Sequence, residues 1–159
     1  MKTTFDILDR IYPLINTTGV RATLDGGVYR NARPINSVKR DVVVLALPVS
    51  GGTDIDLQGC TIVVNCFAPD VATGIPDDPN LDAMTAQVLS AIETANETSE
   101  YLHLEITSQA MMEDMDNAGI SYSSIRLDCT IEYGHVPESI TLAGSSGTVF
   151  TATGSLGTP

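Results

Sequence analysis

The sequence predicts an α+β domain, an antiparallel-rich sheet with two or three helices packed on one face, followed by an extended β-prone C-terminal arm. Three observations predict it. Leu81, Met84, Val88, Ile92 and Ala95 recur at helical spacing over about four turns, giving one apolar stripe. From Tyr122 to Tyr133, Ile125, Leu127, Cys129, Ile131 and Tyr133 alternate with Ser124, Arg126, Asp128, Thr130 and Glu132, as in a strand that covers a core on one side only. Two shorter apolar runs, 42–49 and 60–67, are too short for helices and suit buried strands. A chain of 159 residues with 43% hydrophobic content and a mean hydropathy of +0.12 has the material for one core and falls outside the composition of disordered chains.

Taken in order, Thr3 or Thr4 caps a first helix whose apolar face is Phe5, Leu8, Ile11, Tyr12 and Ile15, with Asp6 and Asp9 near its positive end. Pro13 is expected to kink that helix or end it early. Asp25-Gly26-Gly27 reads as a turn, Gly27-Val28-Tyr29-Arg30 as the start of an extended segment, and residues 31–39 as a polar connection around Pro34. Asp41–Leu47 is a strand buried on both faces; Pro48–Asp54 is a loop; Cys60–Phe67 is the next strand, ended by Pro69. The Pro/Asp/Gly-rich stretch from Pro69 to Pro79 is a surface loop, and Pro79 suits the first turn of the helix that follows. Tyr101–Thr107 alternates as a strand with one wet face, while Ala110, Met111, Met112 and Met115 suggest a short helix ended by Gly119, with the methionines as core filler. Residues 1–134 form the domain and 135–159 the arm, in which thirteen of twenty-five residues are Gly, Ser or Thr. Ser139–Leu142 and Thr148–Thr151 suit a hairpin, and such arms either add strands to a neighbour's sheet edge or stay disordered.

The longest apolar stretch, 42–49, is far below the ~20 residues that cross a bilayer, and the amino terminus has no apolar segment of the secretory kind, so a soluble, cytosolically made protein is expected. Cys60, Cys66 and Cys129 form no CxxC pair and read as buried small apolar residues.

Charge divides the chain. Residues 1–40 hold seven bases against three acids; residues 41–159 hold one base, Arg126, against seventeen acids, and the whole carries −12. A chain this acidic repels phosphate backbones. The asymmetry suits two arrangements: the basic segment of one copy docked on the acidic surface of another, or a basic segment folded back on its own domain. Under the first, several of Arg30, Arg33, Lys39 and Arg40 are exposed together and contact a neighbouring subunit or ring; Val149 and Phe150 of the arm gain burial along a neighbour's exposed strand edge.

Chemistry-bearing patterns are few. The chain has no GxxxxGK[ST], GxGxxG, HExxH or GxSxG, and Gly144-Ser145-Ser146-Gly147 lacks the strand-to-helix setting of a nucleophile elbow. Asp54 with Asp56, and Asp77-Asp78 with Asp82, lack a calcium loop's spacing and closing Glu. His103 and Glu105 share a strand face, an acid/base pair or simply a polar outer face. No catalytic residue, cofactor or metal is expected, the alternatives being a small metal-dependent enzyme using His103, Glu105 and the Asp clusters, or a monomeric binding module.

The order of segments carries a resemblance. An N-terminal helix, Gly27-Val28-Tyr29-Arg30 with a polar turn at Arg33-Pro34, the Asp41–Pro48 strand, Cys60–Phe67 with Val63-Val64-Asn65 leading into Phe67-Ala68-Pro69, a helix of the Ala83–Ala95 type and a closing pair of strands together resemble the tail-completion (tail-terminator) and head–tail connector proteins of tailed bacteriophages, over residues 3–133. The tail after Gly134 and the long region 93–116 depart from that pattern. The resemblance implies a non-catalytic virion protein, assembled in the bacterial host cytoplasm, that closes a six- or twelve-membered ring against neighbouring portal, connector or tail-tube proteins, with DNA passing an acidic lumen without specific binding.

Overall fold

Thr3 accepts from the Asp6 backbone N–H while Asp6 reaches back to the Thr3 N–H, a capping box that starts helix α1 (Thr4–Ile15). The computed structural model describes residues 3–51, 57–99, 102–132, 141–143 and 149–151. Pro13 does not end α1, which runs on to Ile15: the Asn16 N–H still reaches the Tyr12 carbonyl, so the proline sits in a last turn that little follows. The buried stripe is Ile7, Leu8, Ile11 and Ile15; Phe5, expected on it, is 70% exposed, because the helix meets the sheet one step round from the face that Phe5 shares. A second short helix, α2 (Thr18–Ala22), capped by Thr17, was not foreseen in the sequence and buries Val20.

The strands are β1 (Val28–Arg30), β2 (Asp41–Ala46), β3 (Ser50–Gly51), β4 (Leu57–Pro69), β5 (Leu102–Glu113) and β6 (Ile120–Glu132), ordered β1-β2-β4-β6-β5, with β3 also on β4. Only β1 and β2 run parallel; every other pairing in this sheet is antiparallel. Between β4 and β5 lies the helix α3 (Asp78–Thr98), which Asp77 caps, with Pro79 in its first turn. Further along, β7 (Thr141–Ala143) and β8 (Val149–Thr151) pair as a separate two-stranded sheet. The rest of the proposed arm, and the Asp54–Asp56 pair, lie outside the described residues.

Register sorts the two sheet faces. Val42 lies opposite Cys66, Val44 opposite Val64, and Val64 opposite Ile125, so these residues share the face that the helices cover. On it α1 packs over β2, and α3 over β4, β5 and β6, where Met84, Val88, Ile92 and Ala95 share one buried cluster with Ile62, Ile125, Leu127 and Ile131, and Leu81 is buried too. The fold is therefore the expected α+β one.

The tip of β5 corrects the sequence reading. Ala110, Met111 and Met112 belong to a strand, paired with Ser124, Ser123 and Tyr122, and not to a short helix. A bulge at Thr107, whose hydroxyl donates to the Arg126 carbonyl, shifts the register and hides the continuing alternation. The methionines are not core filler either: Met111, Met112 and Met115 are all exposed.

One buried carboxylate fixes the turn before β1. Asp41 is fully buried, and its oxygens accept from the Gly27 N–H at 3.0 Å and from the Ser37 hydroxyl. A Cβ on Gly26 would lie 1.8 Å from Asp41 Oδ1. Gly26→Ala is therefore expected to displace that carboxylate and cost about 1–3 kcal/mol in denaturant unfolding; an unchanged midpoint would show that the turn yields freely.

Candidate interaction surface

The sheet face without helices is partly roofed at one end. Residues 31–40 cross it with two left-handed turns, Asn31 (φ 65°) and Asn36 (φ 59°), residues that tolerate this region better than most. The turns bring Arg33 onto the sheet. Its guanidinium stands 4.3 Å from the centroid of Phe67, whose ring in turn packs at 4.9 Å on Tyr122. Arg33 Nη2 donates to Asp114 Oδ2 at 2.9 Å, and both side chains are nearly buried, 8% and 12% exposed.

Asp114 opens the β5–β6 turn and also accepts from the Asp116 N–H and from Asn117 Nδ2. The same turn meets the 70–77 loop, where the Asp70 N–H donates to the Gly119 carbonyl and Ser121 donates to Asp70 Oδ1. Three connections therefore converge on one end of the sheet, and they carry apolar side chains outward. Ile35 and Met115 are more than nine-tenths exposed, and Val38, Val71 and Ile75 more than half. Val38, Pro69, Asn117 and Gly119 line a cleft there.

Beside this end runs the outer edge of β5, which among the described residues is hydrogen-bonded only to β6 within the sheet. The first half of that edge is guarded by Glu105 and the Thr107 bulge, but Ser108–Met112 has no charge, proline or bulge, the usual devices against strand addition. Met111 and Met112 flank it on opposite faces, both about half exposed.

The four basic residues singled out in the sequence are placed differently from one another. Arg30 pairs with Asp9 and stacks on Tyr12 at 4.5 Å. Arg40 donates to Asn80 Oδ1 at 2.9 Å and sits 3.4 Å from Asp25 Oδ1. Its backbone N–H also reaches that carboxylate, and is the main reason the Asp25 carboxyl is held below its ordinary value. Arg30 and Lys39 are exposed and Arg40 is half-buried, whereas Arg33 is enclosed. Three of the four thus fold back onto acids of their own chain. Of Val149 and Phe150, the backbone pairs within β7–β8.

His103 and Glu105 do share the uncovered face, opposite Thr130 and Asp128, and both are exposed. Asp77 is engaged as the α3 cap, accepting from the Asn80 N–H and Nδ2. Among the described residues no three His, Cys, Asp or Glu side chains gather as a metal site, and no helix is long and apolar enough to cross a membrane. The Arg33–Asp114 pair spans 81 residues, and nothing local in the sequence marks it. The apolar end had a fainter signal, since Asp114–Gly119 reads as a turn that would have closed a long hairpin. No family model matches the chain, and no curated protein does.

Proposed function

We propose that the chain is a structural, self-assembling subunit of a phage particle, one that closes a ring at the head–tail junction or the top of the tail, as the resemblance in its segment order implies. One observation of the fold carries the self-assembly: the uncharged outer edge of Ser108–Met112, which has no second strand beside it among the described residues, flanked by exposed Met111 and Met112 and adjoining the apolar end. Exposed backbone donors and acceptors with apolar flanks pair readily with a second strand. Because most of the candidate arginines are already satisfied within the chain, this reading moves the weight of the contact from charge to the apolar edge. A ring needs two different patches per subunit, and the edge supplies one of them. The net charge of −12 suits a lumen through which DNA slides without sticking.

Size-exclusion chromatography with light scattering tests it. The full chain is expected to elute at a multiple of 16.8 kDa. Met112→Lys, on an exposed side chain, should move it toward the monomer while changing stability by no more than about 0.5 kcal/mol. The assembly is also expected to survive high salt, since apolar and backbone contacts are not screened. A monomer at every concentration would overturn the reading, and an assembly that dissolves in salt would return the contact to the basic segment.

A further inference from the structure

We propose that Cys60 and Cys129 are a redox pair: oxidation joins them in a disulfide that clips β4 to β6, and reduction reopens it. The two residues are direct partners in the antiparallel β4–β6 register. Partners in such a ladder have Cα atoms about 4.5 or 5.5 Å apart, depending on whether the pair exchanges hydrogen bonds. Both spacings fall within the roughly 4.4–6.8 Å that a disulfide accepts. Each cysteine lies two residues from a buried side chain of the helix-covered face, Ile62 on β4 and Leu127 and Ile131 on β6, so both project to the same side.

The pair is also chemically asymmetric. A hydrogen bond between the two thiols lowers the pKa of Cys60, against the opposing pull of burial and of the Asp128 carboxylate. The same bond, with burial, raises Cys129. Cys60, the more exposed of the two, is placed as the attacking cysteine and Cys129 as the resolving one. Cys60 keeps 8% of its surface in solvent, against 1% for Cys129. Cys66 offers the contrast. It faces Val42 and Ser123 across its two neighbouring strands, is fully buried, and burial pushes its thiol up to about 12.

With a peroxide as oxidant the step balances as follows. The Cys60 thiolate attacks one peroxide oxygen, the O–O bond breaks, and the departing hydroxide takes a proton to become water, leaving Cys60 as a sulfenic acid. The Cys129 sulfur then attacks the Cys60 sulfur; the S–O bond breaks, and the hydroxyl leaves as water with the Cys129 proton. Two thiols lose two electrons and the peroxide gains them. A dithiol reverses the change by exchange. The clip would join the two longest strands of the sheet, at its centre.

The test uses the full chain, folded, treated with hydrogen peroxide and then denatured and alkylated. All three cysteines are free at the outset. The thiol count is expected to fall to one, the intact mass by two hydrogen atoms, and a peptide map to link Cys60 with Cys129. Dithiothreitol should restore all three thiols. The oxidised form should melt higher, by on the order of 10 °C, because the cross-link closes a long loop in the unfolded chain. Cys66→Ala should still lose both its thiols, and Cys60→Ala should keep both. A link through Cys66, a bond only between chains, or oxygen added to Cys60 without a link would overturn the proposal. So would an oxidised protein that melts no higher than the reduced one.

Discussion

Ile92→Ala is expected to melt roughly 6–12 °C below the parent, at a cost of about 3 kcal/mol. Ile92 is 1% exposed at the centre of α3, in the cluster that holds Val88, Leu104, Ile125 and Leu127. Three strands back this helix, β4, β5 and β6, so the neighbours of a deleted side chain belong to a paired sheet and relax little. The loss is then the transfer term plus an unfilled cavity. Phe5→Ala is the internal contrast: it removes a larger side chain, but one that is 70% in water, and should stay within about 0.5 kcal/mol of the parent. Equal melting temperatures for Ile92→Ala and the parent would remove α3 from the core.

The contrast between Ile92 and Phe5 also shows which parts of the fold were legible. Where apolar spacing held for several turns or several alternations, as in α3 and the buried face of β6, residue type alone assigned both element and face. α1 was legible as a helix but not in its rotation, because Phe5 and Ile7 are both apolar and only the approach of β2 decides between them. The second half of β5 was missed because one bulged residue, Thr107, breaks the period-two pattern, and a methionine run then reads equally well as helix. The surface was the least legible part. A run of basic residues signals charge, but not whether its partner acids lie on another copy or 81 residues along the same chain.

That distinction decides what Arg33 does. Charge reversal at an exposed arginine would leave the subunit folded and disturb only its contacts. Reversal at Arg33 would place a carboxylate beside the nearly buried Asp114, on the face of Phe67, and should first release the 31–40 crossing from the sheet. The milder Arg33→Ala is expected to cost about 3 kcal/mol, the lower end for breaking a buried pair, because Asp114 keeps its bonds to the Asp116 N–H and Asn117 Nδ2. Asp114→Ala should cost as much or more: it strands a guanidinium whose Nη1 already finds no acceptor among the described residues. The double variant Arg33→Ala/Asp114→Ala removes both charges together, so its cost should fall short of the sum of the single costs by on the order of 2 kcal/mol. The Phe67–Tyr122 contact gives a local readout, since the ring resonances of both residues should shift in each single variant. Strictly additive costs would mean that the pair is solvated and contributes nothing as a pair, and Arg33 would then be free to face a neighbouring subunit after all.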